Sequence, residues 1–226
     1  MSTEVPEAIG AQTFKYWAFL SYSHRDRKWG GWLHRELETY RVPKRIVGQP
    51  TRDGERPKRL FPIFRDREDL PASADLGSKI NEALTQSRYL VVVCSRNSAK
   101  SVWVSEEIKF FKKLGREDRV FALIVDGEPN ASEQKPSLTP EDECFPEALR
   151  HRVDPEGQVL PLRAEPLAGD AREDKDGKTN AKLKLLAGLL DINFDALRQR
   201  EQERRRRSLF QLTGLAIIIA LGMSLI

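Results

Sequence analysis

The chain has 226 residues, of which 39% are hydrophobic and 32% are charged. This composition allows one folded domain of ordinary size with an appendage, and it excludes both a disordered chain and a protein with many membrane spans. The net charge of +4 comes entirely from residues 198–207, which hold six arginines and two glutamates, so we expect no basic surface for nucleic acid on the rest of the chain.

The first half of the chain alternates predicted strands and helices. Residues 1–13 contain no apolar run of the kind that a secretion signal needs, and we expect a flexible leader. An aromatic run at Tyr16–Tyr22 predicts a strand, and apolar residues at helical spacing predict a helix over 29–40. Prolines and glycines at 41–60 then predict a long loop. The following predicted elements are an edge strand at 60–64, a charged loop at 65–74 and a helix at 75–87.

The second half carries the strands that the sequence marks most clearly. Continuous apolar runs at Tyr89–Cys94 and Arg119–Val125 are typical of strands buried on both faces of a parallel sheet, and a helix is predicted between them at 101–114. The remaining predicted elements are an irregular insertion at 126–157 with one short helix near 145–152, a fifth strand at 158–162, and helices at 179–190 and from about 194 onward. The alternation predicts a doubly wound α/β fold with about five parallel strands flanked by helices, whose ligands bind at the carboxyl ends of the strands.

The last 18 residues, Leu209–Ile226, contain no charged side chain. As a helix they would extend about 27 Å, close to the roughly 30 Å hydrocarbon thickness of a bilayer. Four arginines at 204–207 directly precede them, which favours the cytoplasmic side and attracts anionic membrane lipid. We therefore expect a basic juxtamembrane helix at 191–208 and a single transmembrane helix at 209–226 in the inner membrane, with the preceding domain facing the cytoplasm. The alternative is that residues 209–226 form a buried C-terminal helix. If they form an anchor, the protein either ends with this helix or continues beyond Ile226.

Several common catalytic and metal-binding patterns are absent from the sequence. It contains no phosphate loop of the GxxxxGK[ST] type, no GxGxxG after the first predicted strand and no HExxH pair. Two cysteines, Cys94 and Cys144, are too few for a disulfide framework or a cysteine zinc site. We therefore expect neither a bound metal nor a bound cofactor.

Polar groups gather where the predicted strands end. Residues 21–25 follow the first strand, residues 65–69 follow the second, and the helix after the third strand carries Trp103 and Glu107. Trp103 and Glu107 are four residues apart and share a helix face, whereas Glu106 is turned about 100° away. A carboxylate beside an aromatic ring can hold a ribose and stabilise a cation that develops on it. From spacing alone the plainer interpretation, a packed tryptophan and a solvated glutamate, is favoured.

Four blocks, in this order, resemble the Toll/interleukin-1 receptor (TIR) domain family. They are FLSYSHRD at 19–26, IFRDREDLPAS at 63–73, ALTQSRYLVVVCSRNSAKSVWVSEEI at 83–108 and RVFALIVDG at 119–127. The resemblance spans residues 14–190, with 126–157 as an insertion, and implies a flavodoxin-like α/β fold. Some members of the family cleave NAD or make cyclic derivatives of it, and the enzymatic members carry the pattern S-x-W-x-x-x-E on the third helix, which Ser101, Trp103 and Glu107 match here. The resemblance leaves open whether NAD would be hydrolysed or cyclised.

The resemblance implies that Glu107 is the catalytic residue, because the family's glutamate lies four residues after the tryptophan. It implies a pocket in which NAD+ is the substrate, with these binding residues: Phe19, Ser21, Tyr22, Ser23, His24, Arg25, Asp66, Ser73, Leu76 and Trp103. It also implies a contact surface for other TIR domains, formed by Arg65, Arg67, Asp69 and Leu70. Some enzymatic relatives carry two arginines where this chain has Ser23 and His24, so the phosphate contacts are expected to differ.

Two functions follow from the resemblance. The first is a membrane-anchored NAD+ nucleosidase in bacterial signalling or defence, activated by self-assembly under the control of a sensor domain or partner protein. In such a reaction nicotinamide leaves as a neutral base, and a single carboxylate suffices to stabilise the ribosyl cation. The alternative is a non-enzymatic adaptor that works only through contacts between TIR domains.

Overall fold

The computed structural model describes residues 14–51, 54–65, 76–131, 138–203 and 206. Its strands, in chain order, are β1 (Tyr16–Ser21), β2 (Pro50–Thr51), β3 (Gly54–Glu55), β4 (Ile63–Arg65), β5 (Ser87–Cys94), β6 (Val120–Ile124), β7 (His151–Val153), β8 (Val159–Arg163) and β9 (Leu167–Asp170). A five-stranded sheet has the order β4-β1-β5-β6-β9, and each neighbouring pair in it is parallel. This sheet confirms the predicted α/β fold, with the predicted strand at 60–64 at the sheet edge.

Helices follow most of the strands. They are α1 (Arg27–Thr39), α2 (Leu76–Thr85), α3 (Arg96–Ala99), α4 (Val102–Lys113), α5 (Glu147–Arg150) and α6 (Gly177–Leu189). The short α3 was not predicted, and it forms because the Ser95 side chain accepts hydrogen bonds from the backbone N–H groups of Asn97 and Ser98. Ser101 begins α4 in the same way, since its side chain accepts from the N–H of Val104.

The sheet divides the apolar core into two layers, because successive side chains of a strand point to opposite faces. On β5, Val91 and Val93 pack in a layer with α1 and α6, which we call the α1/α6 layer. Their neighbours Val92 and Cys94 pack in a layer with α2 and α4, which we call the α2/α4 layer. All eight residues of β5 are buried, which is why its sequence is apolar without alternation.

The fifth strand of the sheet differs from the prediction. The predicted strand at 158–162 corresponds to β8, which pairs antiparallel with β7 in a separate hairpin. None of the residues of β8 is buried, so the apolar side chains of this strand do not belong to the core around the main sheet. The fifth position is taken by β9, whose sequence LAGD has little strand character. Gly169 allows β9 to pack directly against α6, because a Cβ at this position would lie only 2.7 Å from the carbonyl oxygen of Ala181 in that helix.

The two predicted irregular segments contain ordered pieces. In the 41–60 loop, β2 and β3 pair antiparallel. In the 126–157 insertion, a 3₁₀ turn at Pro140–Asp142 precedes α5, which lies where the short helix was predicted. Residues 132–137 of the insertion lie outside the described residues.

The chain continues past α6 into a further helix. Residues 194–203 are helical, and Leu197 is fully buried in the α1/α6 layer. Within the described ranges, the structure has no helix that combines the length and the apolar character needed to cross a bilayer. The predicted leader at 1–13 and the predicted transmembrane helix at 209–226 lie outside those ranges.

Gly30 and Gly31 are adjacent in α1 and test how closely this helix packs on the sheet. A Cβ at Gly30 would lie 2.8 Å from the ring of the buried Tyr22, whereas a Cβ at Gly31 would meet nothing within 4 Å. We predict that Gly30→Ala lowers the free energy of unfolding by about 1–3 kcal/mol through overpacking, while Gly31→Ala raises it by up to about 1 kcal/mol through better helix propensity. Denaturant unfolding measures both, and equal shifts in the two variants would contradict this packing.

Candidate active site

A buried carboxylate lies at the carboxyl edge of the sheet. The Oγ of Ser21, the last residue of β1, donates a hydrogen bond to Oε2 of Glu107 in α4 at 2.5 Å. Ser21 is fully buried, and Glu107 is only 5% exposed. Removing a carboxylate from water is unfavourable without such a donor, and a hydroxyl that donates to a charged oxygen makes a short, strong bond. Glu107 is therefore not the solvated helix residue that spacing alone favoured.

Glu107 lines a cavity of about 540 Å³ whose walls are α2, α4 and residues 156–158. Trp103, one helical turn earlier, lines the same cavity and is 58% exposed. Lys113 adds a positive charge from the far end of the same helix face, and Asn81 of α2 adds a side-chain amide. The lining thus includes the fixed carboxylate of Glu107, an aromatic ring and two lysines, Lys109 and Lys113, together with the carboxylates of Glu106 and Glu156. Such a mixture can contact the ribose and the phosphates of a nucleotide.

Glu106, the neighbour of Glu107, has a different environment. It also lines the cavity, but its side chain is 59% exposed. Its Oε1 accepts a hydrogen bond from Nζ of Lys109 at 2.9 Å. Because this carboxylate is exposed to water and already paired with Lys109, it is a weaker source of directed charge than the buried Glu107.

A second buried carboxylate, Asp26, was not among the predicted site residues. It is 8% exposed, and it accepts hydrogen bonds from Ser95 Oγ at 2.6 Å and from Asn97 Nδ2 at 3.0 Å. These bonds tie the turn after β1 to the turn after β5, so Asp26 holds two strand ends in register. Asp26 stands at the end of the FLSYSHRD block, and this position was the signal that the sequence offered. A charged residue in a polar turn is usually exposed to solvent, so the sequence did not indicate that Asp26 is buried.

The predicted substrate-binding residues on β1 and its end divide between the two layers. Phe19 and Ser21 are two residues apart and share the face that α4 covers, and Phe19 packs in the α2/α4 layer. Tyr22 instead packs in the α1/α6 layer against Gly30. The structure therefore brings Phe19 and Ser21 to the side of Glu107 and places Tyr22 on the opposite side of the sheet.

The other predicted site residues lie in loops and at element ends. Ser23 is half-buried, while His24 and Arg25 are exposed in a 3₁₀ turn. Arg65 ends β4, and Leu76 begins α2, where it packs against the α2/α4 layer. The remaining predicted binding and contact residues lie outside the described residues: Asp66, Arg67, Asp69, Leu70 and Ser73.

The two cysteine side chains are poorly placed for nucleophilic chemistry. Cys94 and Cys144 are both buried and free, and burial raises the pKa of each thiol above its ordinary value. A thiol that resists deprotonation is a poor nucleophile at neutral pH. Across the ranges that the structure describes, no three His, Cys, Asp or Glu side chains group to hold a metal ion.

Comparison with known proteins bears on this site. Residues 18–154 match the family model described as the TIR domain. A 115-residue segment is 34% identical to the NAD(+) hydrolase ApTIR of Actinoplanes sp., and covers 50% of this chain and 14% of that protein. The chain thus spans only a small part of its relative's length.

Among solved structures, the chain is similar to the TIR domains of the activated Roq1 resistosome directly recognizing the pathogen effector XopQ. The TM-score is 0.38 at 24% identity, over 52% of this chain and 63% of that chain, and this likeness is too weak to add to the argument. The match to the family model extends over more than half of the chain and contains the Ser21–Glu107 pair. This protein belongs to the TIR domain family.

Proposed function

We propose that this TIR domain is an NAD+ nucleosidase that cleaves the bond between nicotinamide and ribose, with Glu107 as the catalytic carboxylate. The observation that carries the proposal is the position of Glu107, which is buried, bonded to Ser21 and on one cavity wall with Trp103. The similarity of a 115-residue segment to an NAD(+) hydrolase supports it.

The reaction requires a stabilised positive charge more than it requires an acid. The bond that breaks joins C1′ of the ribose to the ring nitrogen of nicotinamide, and its electron pair stays with that nitrogen. Nicotinamide therefore leaves as a neutral base, and the ribosyl carbon becomes an oxocarbenium-like cation. When a water molecule then attacks this carbon, a proton is released. A carboxylate fixed beside the carbon and shielded from water stabilises the cation strongly.

The neighbouring residues suit the remaining parts of the substrate. Ser21 holds the Glu107 carboxylate in one orientation, so little reorganisation accompanies the charge that develops. The exposed ring of Trp103 offers a stacking surface for nicotinamide or adenine. Lys113 places a positive charge in the cavity where a diphosphate would lie.

We further infer that the enzyme works at the inner membrane, with this domain in the cytoplasm, and that self-association activates it. The uncharged run Leu209–Ile226 after the arginines 204–207 supports the anchor. Val102 and Trp103, in the first turn of α4, are 71% and 58% exposed. Two large apolar side chains exposed at the same end of a helix support a surface that a second copy of the domain would cover. Anchoring raises the local concentration that such a contact requires.

The catalytic assignment is tested by exchanging each of two adjacent glutamates for the isosteric amide. We predict that Glu107→Gln reduces nicotinamide release from NAD+ by roughly 100-fold or more, because the cation loses its counter-charge. Glu106→Gln is the matched control, and its rate stays near that of the unchanged protein because this carboxylate is exposed and paired with Lys109. Similar losses in both variants, or no loss in either, would contradict the assignment.

The positioning role of Ser21 has a separate signature. Ser21→Ala removes the donor to Glu107 without adding bulk, and we predict a roughly 10-fold to 100-fold lower kcat with KM little changed. Ser105→Ala, which removes a hydroxyl from the same helix as Glu107, should leave kcat unchanged. A change confined to KM, or a fall in kcat explained by a lower melting temperature, would argue against positioning.

Activation by self-association is tested by varying the number of protein molecules per unit area of a vesicle surface. We predict that the rate per molecule of the full chain rises when it is concentrated on vesicles, and that Val102→Glu abolishes this rise while the dilute rate is retained. The charged side chain would have to be buried in the contact without a partner. A density effect that is equal in the two proteins would exclude this surface.

A further inference from the structure

A strongly cationic cavity lies between the 41–60 loop and the helical residues 194–203. Both segments are distant from Glu107 in the sequence. Its volume is about 870 Å³. Among the described residues that line it, six side chains carry a positive charge and Glu203 is the one carboxylate. The cationic residues are Arg41, Lys44, Arg45, Lys58, Arg59 and Arg200.

The loop wall of this cavity is fixed to the domain. Val42 and Ile46 are buried in the α1/α6 layer, and the N–H of Val42 donates to the carbonyl of Lys58 at 3.1 Å. Arg56 ties the same loop to the end of α6, since its Nε donates to the carbonyl of Leu190 at 2.8 Å and its Nη2 to that of Asp191 at 2.6 Å. The cations of the loop are thus carried on an ordered backbone.

The opposite wall is fixed as well. Leu197 is fully buried, and Tyr40 at the end of α1 donates from its hydroxyl to Oε1 of Glu201 at 3.1 Å. This contact orients the helix so that Arg200 and Glu203 face the loop. The cavity belongs to the α1/α6 side of the sheet, whereas Glu107 contributes to the α2/α4 side.

The charges in the cavity are poorly balanced by the protein itself. Within the described ranges, the structure pairs none of Lys44, Arg45, Lys58, Arg59 and Arg200 with a carboxylate. Like charges that share a cavity repel one another, and an anion that contacts several of them relieves the repulsion. Guanidinium groups suit phosphate in particular, because they donate paired hydrogen bonds to its oxygens.

We propose that this cavity binds a compact anion that carries two or more phosphate groups, either a soluble organic polyphosphate or the headgroup of an anionic phospholipid. Its volume lies in the range of about 300–1,000 Å³ that is usual for small-molecule sites. Val42, Pro43 and Val47 add an apolar part to the lining, which fits the organic portion of such a ligand. A concave site of this size does not fit a nucleic acid duplex, which needs an extended basic face.

The first test titrates the full chain, in a neutral detergent, with sodium tripolyphosphate by calorimetry. The site variant combines Lys44→Glu with Arg59→Glu, and the matched control combines Lys28→Glu with Arg35→Glu on the exposed side of α1. We expect the unchanged protein and the control to bind, and the site variant to lose roughly 100-fold in affinity, about tenfold for each charged contact removed. A second site variant, Lys58→Gln with Arg200→Gln, guards against a folding defect and should lose affinity without charge reversal.

The second test separates a lipid source of the phosphates from a soluble one. The same proteins, kept in the neutral detergent so that the uncharged segment 209–226 is already covered, are titrated with mixed micelles of that detergent and phosphatidylcholine, with or without cardiolipin, whose headgroup carries two phosphates. Because all of them keep residues 204–226, a difference between site variant and control reports on the cavity alone. Dependence on the cavity residues for either probe supports the proposal and identifies the source. Identical behaviour of site variants and control toward both probes, or no binding of the unchanged protein to either, would overturn it.

Discussion

The hydrogen bond from Ser21 to Glu107 is the contact on which the candidate site depends. It joins the last residue of an interior strand to a helix that follows another strand, so it requires β1 and β5 to be neighbours and α4 to cover them. The buried backbone of β1, held between β4 and β5, fixes the hydroxyl. The helix in turn fixes the carboxylate, and burial makes its charge effective because little water remains to screen it.

Asp26 joins two loops by side-chain hydrogen bonds, as the Ser21–Glu107 bond joins a strand to a helix. Polar turns at the end of a parallel sheet have few backbone partners, and side chains must supply the missing hydrogen bonds. Asp26 does so by joining the turn after β1 to Ser95, which also caps α3. The capped α3 places Ser101 at the start of α4. The position of Glu107 is thus determined by a series of local caps as well as by packing.

The sequence predicts the parts of this fold whose signal is carried by their own residues. Residues 89–94 of β5 and all of β6 form continuous apolar runs, the usual pattern of a strand with both faces covered. The segment LAGD of β9 has no such signal, because its strand conformation depends on β6 beside it and on α6 packing against Gly169. The apolar residues of β8 gave a signal, but a two-stranded hairpin produces the same alternation as a sheet strand. The environment of Glu107 could not be predicted for the same reason, because it depends on residues that are distant in the sequence. Spacing alone favours a solvated Glu107, and only the fold brings Ser21 next to it.

The unequal exposure of the two central site residues has a consequence for how such an enzyme would be controlled. Glu107 is buried and bonded to Ser21 within the single chain, so the carboxylate that we propose as catalytic is held in position before any assembly. Trp103 is largely exposed, so a ligand or another molecule can pack on the exposed part of its ring and on the adjacent Val102. On the proposed mechanism, a second copy that covers these side chains would therefore order the substrate rather than the carboxylate. Assembly would then act mainly on the affinity for NAD+ and on the exclusion of water, two properties that an exposed aromatic wall determines. On this proposal, the domain is folded with its carboxylate in position before assembly, and its activity rises when a second copy covers the other side of the bound substrate.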